Sequence, residues 1–261
     1  MAHTYQDLLP IADRLAPLFY REEADGVGMD ELAGILQTHP RLMIIMNHGP
    51  VLGPAPALAA LVRSMVRHGG GDRVPFGVTW RGFYRVPGVG PLLERLVQTS
   101  ADSGVEDVVA KLSNGTFNDC CIMPEGEYSN VGNGIDIQPF RSQRFIEAAV
   151  RAEAPVLLLA HSGTERLGRP IPIPASARFL IERLPEHLRR AVNQSGVVSL
   201  PWLLGGRIPK LGLACELYWP DLSPGDLEES ASAQQVALNA RHARARLQRL
   251  VNHLVLQFGE D

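Results

Sequence analysis

The chain has 261 residues, 45% of them hydrophobic and 20% charged, with a formal net charge of -3. That length and balance describe a globular protein able to bury a large core, and the slight acidity excludes a general nucleic-acid binder, which would be basic. Three cysteines, two of them adjacent at Cys120 and Cys121, form neither a disulfide framework nor a metal-ligand spacing, so buried reduced thiols and no bound metal are expected. No charged-then-apolar leader opens the sequence, and no apolar run approaches the ~20 residues that span a bilayer. The expected location is the cytoplasm, either in solution or peripherally on the inner membrane face.

In chain order, residues 5–20 place Leu8, Ile11, Leu15, Leu18 and Phe19 at helical spacing, interrupted by Pro10 and Pro17. Residues 41–46 read as a short buried strand, 55–66 as an apolar helix ending in a glycine loop, and 74–80 as a second strand. A rigid Pro87-Gly-Val-Gly-Pro91 turn leads to a short helix at 92–97. Ser103-Gly-Val-Glu106 has the form of a capping box before a helix with the apolar stripe Val105, Val108, Val109 and Leu112. A third strand covers 119–123. The loop 129–134, rich in Gly and Asn, is expected to be mobile. A helix at 141–152 and a strand at 155–160 follow.

Residues 162–210 are proline-rich and less regular, with a helix at 186–192 and an apolar stretch around Trp202. A late strand at 210–219, an acidic linker at 221–229 and a long helix at 232–258 close the chain. The alternation predicts an α/β fold in one domain, with a mostly parallel central sheet flanked by helices.

Two strands deliver polar residues to turns: Ile45-Met46 leads to Asn47-His48-Gly49, and Cys121-Ile122-Met123 leads to Pro124-Glu125-Gly126. Such strand ends can bring a histidine and a carboxylate to one sheet edge. Between and beyond them lie Arg81-Gly-Phe-Tyr-Arg85-Val-Pro87-Gly-Val-Gly90, Ser129, Phe140-Arg141 and Ala154-Pro155-Val156. Taken in this order over roughly residues 17–220, these blocks resemble the glycerolipid acyltransferase superfamily typified by lysophosphatidate acyltransferases. Its motifs read approximately N-H-x-x-x-x-D, a basic and aromatic block ending P-x-x-G, F-P-E-G-T-R-S, and V-P-I/V.

The resemblance implies a fatty acyl transfer from acyl-CoA or acyl-carrier protein to a hydroxyl, or an amine, of a lipid-like or phosphate-bearing acceptor, as in phospholipid biosynthesis. The acyl thioester is then a substrate, and no cofactor is implied. By matching position, His48 is the general base and Glu125 the second catalytic candidate. Asn47, Arg81, Arg85, Gly126 and Arg141 are implied substrate contacts. Three departures stand out: the aspartate that would orient His48 is Gly53, Glu127-Tyr128 replace Thr-Arg after Pro-Glu-Gly, and Arg81-Gly82 replace Lys-Glu. Glu127 is the candidate substitute partner of His48. His161, at a strand end, is a secondary site candidate. A non-catalytic acyl- or lipid-binding homologue and a thioesterase-like hydrolase are the alternatives.

Overall fold

The computed structural model describes residues 2–79, 96–100, 103–174, 178–183, 186–202, 206–228 and 232–259. Helix α1 (Tyr5–Phe19) runs into strand β1 (Tyr20–Asp25), and α2 (Leu32–Thr38) precedes β2 (Leu42–Met46). Next come α3 (Pro54–Arg67), β3 (Pro75–Gly77), α4 (Val105–Ser113), β4 (Asp119–Ile122), α5 (Arg144–Arg151) and β5 (Val156–Ser162). A hairpin of β6 (Gly168–Pro172) and β7 (Val197–Pro201) encloses α6 (Arg178–Ile181) and α7 (Glu186–Ser195). Strand β8 (Ile208–Tyr218) and α8 (Ser232–Phe258) end the chain.

The fold is α/β, built on a six-stranded, mostly parallel sheet of order β1-β8-β5-β2-β4-β3. β5, β2, β4 and β3 run parallel, β8 returns antiparallel to β5, and β1 lies parallel to β8. Every residue of β2 and β5 is buried, because helices cover both faces and a central strand then needs apolar residues throughout. Leu42, Ile44, Met46, Leu157 and Leu159 pack with α1, α2 and α3. Met43, Ile45, Leu158 and Ala160 pack on the other side with α4, α5 and α8.

Three expectations are corrected. β1 was not expected: Tyr-Arg-Glu-Glu-Ala-Asp is polar, and it is a strand because β8 offers it a sheet edge, with Tyr20 alone buried. α1 reaches the core through Tyr5, Ala12 and Ala16 instead of its leucine stripe. Ile11 is 38% exposed and Leu18 67%, because small residues let α1 pack closely along α3. The capping box is displaced by one residue: Gly104 N–H donates to Asp107 at 3.0 Å, while Glu106 pairs with Arg151 at 2.6 Å. The expected turn at 87–91 and most of the helix at 92–97 lie outside the described residues.

A buried ion pair ties the start of β4 to the loop between α3 and β3. Arg73 Nε donates to Asp119 Oδ2 at 2.9 Å, a second guanidinium nitrogen meets Asp119 Oδ1, and the remaining donors reach Leu36 O at 3.1 Å and His39 O at 2.8 Å. Asp119 has no exposed surface. Burial pushes its carboxyl pKa up, and the hydrogen bonds and charge of Arg73 oppose the rise.

Candidate functional site

The carboxyl ends of β2, β4 and β5 lie side by side, with Met46 paired to Leu159 and Ile45 to Ile122. This edge, where parallel strands leave the sheet, is the usual ligand-facing edge of an α/β fold. It brings Asn47-His48, Glu125 and His161 together.

Asn47 is buried, and its side chain continues the β2–β5 ladder past the last backbone pair. Its Nδ2 donates to His161 O at 3.0 Å, and its Oδ1 accepts from His161 N–H at 2.9 Å. The Asn47 amide is thus committed to the His161 backbone. His161 answers through its ring, whose Nε2 lies 2.7 Å from Asn47 O. A carbonyl only accepts, so Nε2 carries the proton and Nδ1 the lone pair. Thr164 Oγ1, 3.1 Å from Nδ1, supplies the donor. Burial pushes the His161 pKa down to about 4, so the ring is neutral at pH 7.

His48 follows at the head of a tight turn. Gly49 has φ +64°, and a Cβ there would stand 2.6 Å from Thr164 Oγ1 and 3.3 Å from His161 Cε1. Both the backbone conformation and the space require glycine. His48 Nδ1 lies 3.2 Å from Gly49 O, which makes Nδ1 the protonated nitrogen and leaves the lone pair on Nε2. Burial lowers the His48 pKa, and nearby backbone carbonyls oppose the fall.

Glu125 is 3% exposed, and both of its oxygens are taken by main-chain donors. Oε1 accepts from His48 N–H and Oε2 from Gln138 N–H, each at 2.7 Å. Burial raises its pKa to about 7 against the pull of those two N–H groups and of Arg244. Glu125 therefore fixes the His48 backbone, and no carboxylate among the described side chains is hydrogen-bonded to the ring. The Glu127 side chain lies outside the described residues, as do Arg81 and Arg85.

Gly126, with φ +57°, starts the turn beyond Glu125, and a Cβ there would touch the Arg141 side chain at 3.6 Å. Arg141 N–H donates to Pro124 O at 2.9 Å. In the following loop, Val131 bridges Val198 of β7 and Gly132 N–H donates to Val197 O at 3.3 Å. Ser129 and Val131 are buried, Ile137 N–H donates to Gln248 Oε1 at 2.6 Å, and Arg244 Nε donates to Ile137 O at 2.9 Å. Asn47, Gly49, Glu125, Ser129 and Gln138 line a small pocket beneath this loop. The β6–β7 hairpin abuts the same turn, for a Cβ on Gly168 would stand 2.6 Å from Pro50 Cβ.

Of the residues singled out in the sequence, Asn47, His48, Glu125, Gly126, Arg141 and His161 lie at this edge. Sequence reasoning missed Thr164, Gln138 and Arg244, whose partners are the other site residues or main-chain atoms. Among the described residues no group of three or more His, Cys, Asp or Glu converges as a metal site would, and no helix is long and apolar enough to cross a membrane. Comparison with protein families and with curated proteins returns no match to the chain.

Proposed function

We propose that the protein is an acyltransferase that moves a fatty acyl group from acyl-CoA or acyl-carrier protein to a hydroxyl, or an amine, of a lipid-like acceptor, with His48 as general base. The observation that carries this reading is the His48 ring itself. Its Nδ1 faces the Gly49 carbonyl at 3.2 Å, so Nε2 holds the lone pair, and burial favours the neutral form that a base needs. The Gly49 carbonyl does part of the work of the absent aspartate, setting tautomer and ring direction.

In this mechanism His48 Nε2 takes the proton of the acceptor hydroxyl as its oxygen attacks the thioester carbonyl. The tetrahedral adduct collapses, the carbon–sulfur bond breaks, and the departing thiolate recovers the proton from the imidazolium. A carbonyl dipole compensates the imidazolium charge less than a carboxylate does, and losing such a carboxylate costs up to about 10⁴ in rate in a serine-protease triad. Slow turnover is therefore expected. Glu125 holds the His48 backbone, and Arg141, beside Gly126, supplies a cation for an anionic acceptor headgroup. The exposed Ile11 and Leu18 of α1 support peripheral contact with a lipid surface, as expected of a cytoplasmic enzyme working at the inner membrane face.

The test is thiol release from palmitoyl-CoA, with lysophosphatidate or monoacylglycerol as acceptor. Acceptor-dependent release that His48→Ala abolishes is the expected result. Release without acceptor would mark a thioesterase-like hydrolase. Acyl-CoA binding with no release would mark an acyl-binding homologue with lost chemistry, the reading that Gly53 favours.

A further inference from the structure

The peptide group joining Asn47 to His48 is gripped at both ends. Its carbonyl oxygen accepts from His161 Nε2–H and its N–H donates to Glu125 Oε1, both at 2.7 Å. An amide polarised from both sides makes each bond stronger than it would be alone. Neither gripping group is hydrogen-bonded to the His48 ring. Each holds the main chain from which that ring projects.

The His161 side of the grip is reciprocal. The Asn47 side chain holds the His161 main chain through its N–H and its carbonyl, and the His161 side chain holds the Asn47 main chain. A carboxylate on Asn47 in place of its amide would offer no donor to His161 O. A ring at position 161 without a protonated Nε2 would leave Asn47 O without that partner. The Asn47 carbonyl settles the second point, because it can only accept, and the Thr164 hydroxyl, 3.1 Å from Nδ1, donates to the remaining lone pair. Gly49 allows the pair to lie flush against the turn, since any Cβ there would strike Thr164 Oγ1.

We propose that His161 is a positioning residue for His48, holding the Asn47–His48 peptide so that the base stays aimed without a carboxylate on its ring, and that Thr164 reinforces the His161 tautomer this requires by donating to Nδ1. The catalytic consequence rests on His48 being the working base. The positional one does not. Burial keeps the His161 ring neutral, consistent with a part that orients and carries no proton itself.

The experiment compares the full chain with its His161→Phe, His161→Gln and Thr164→Val variants by two readouts. The first is the long-range proton–nitrogen NMR spectrum of the His48 imidazole, which reports its tautomer and pKa. The second is steady-state thiol release from palmitoyl-CoA with lysophosphatidate. His161→Phe fills the space but removes the donor, so kcat should fall about 100-fold with KM within about 2-fold, and the His48 ring signals should move. Glutamine presents an N–H near the Nε2 position and should restore the His48 spectrum and most of kcat. A folded His161→Phe protein with the parent's His48 spectrum and kcat overturns the proposal. So does a glutamine variant as impaired as the phenylalanine one.

If His161→Phe does not fold, Thr164→Val decides: an unchanged His48 spectrum and kcat overturn the proposal, and a shifted ring with reduced kcat upholds it. Failure of the acyltransferase reading is separate. It would appear as no thiol release by the parent, or as release that His48→Ala leaves intact, while the His48 spectrum of the His161 variants still reports on the grip.

Discussion

A β-carbon on Gly53 would stand 2.5 Å from the carbonyl oxygen of His48 and 3.0 Å from that of Pro50. The position where the resembled family carries its aspartate is thus closed by the turn, with Gly53 N–H donating to Pro50 O at 2.8 Å. The residue also caps α3, where aspartate is ordinarily favoured over alanine by about 1 kcal/mol. Crowding against two fixed carbonyls outweighs that preference, since overpacking costs about 1–3 kcal/mol. Gly53→Asp should therefore lower stability and bring no gain in thiol release. Urea denaturation and the release assay check both halves, and a variant that is at least as stable and faster would contradict this.

Glu125 gives the protein a stability term that runs against the usual carboxylate trend. Its pKa is about 7 in the folded chain against an ordinary 4.5. Between those values the folded state holds a proton that the unfolded state has released, so stability falls as pH rises through that window, by about 1.4 kcal/mol per pH unit from this group. Glu125→Gln loses a main-chain hydrogen bond at every pH. Relative to the parent, however, it should gain stability steadily from about pH 4.5 to about pH 7 and level off above. Urea midpoints measured at several pH values give the slope.

His161 acts with the opposite sign. Its folded pKa of about 4 lies below the ordinary 6.5, so the unfolded chain takes up a proton first and stability is lost as pH falls through that range. Replacing His161 by Phe should remove this acid-side loss. The difference between variant and parent should therefore move in the variant's favour as pH falls from about 6.5 to about 4, read from the same denaturation series.

Asp119 is fully buried and depends on Arg73 for its charge partner. Removing one member of such a pair costs about 3–5 kcal/mol, so Arg73→Leu should be among the most damaging single changes in the chain. Arg73→Lys should not rescue it, because one ammonium cannot serve Asp119, Leu36 O and His39 O together. Thermal melts of both variants test this.

The exposed Ile11 and Leu18 of α1 predict a separation of stability from surface binding. Ile11→Gln with Leu18→Gln should leave stability within about 0.5 kcal/mol, since both side chains are exposed. The same pair should weaken sedimentation with phosphatidylglycerol vesicles, the outcome that the proposed peripheral contact requires. Ala12→Leu on the packed face should instead cost about 1–3 kcal/mol. Vesicle sedimentation and urea denaturation distinguish the two faces.

The elements that were legible in the sequence are those whose burial is written in their own residues. β2 is apolar throughout and β5 from Val156 to Ala160, and α8 repeats Leu247, Leu250 and Leu254 on its buried side. β1 was not legible, because its charged residues gain a strand conformation only from β8. The leucine stripe of α1 was legible but its facing was not, since close packing on α3 favours alanine over leucine. At the site, the turns bearing His48 and Glu125 could be read. What Glu125 does with its oxygens could not, because both partners are main-chain N–H groups and carry no residue signature. The same holds for His161, whose ring bonds a carbonyl 114 positions away in the chain.

The pairing of Tyr20 with Ile208 and of Asp25 with Leu213 sets the order in which the chain can assemble. As synthesis proceeds from the amino end, Tyr20–Asp25 emerges with no sheet edge to join until Ile208–Tyr218 follows. That late strand makes two connections at once, to β1 on one side and to β5 on the other. Contacts so distant in sequence form slowly and leave unpaired edges exposed meanwhile. A chain ending before residue 208 would therefore leave β5, apolar from Val156 to Ala160, as an open sheet edge.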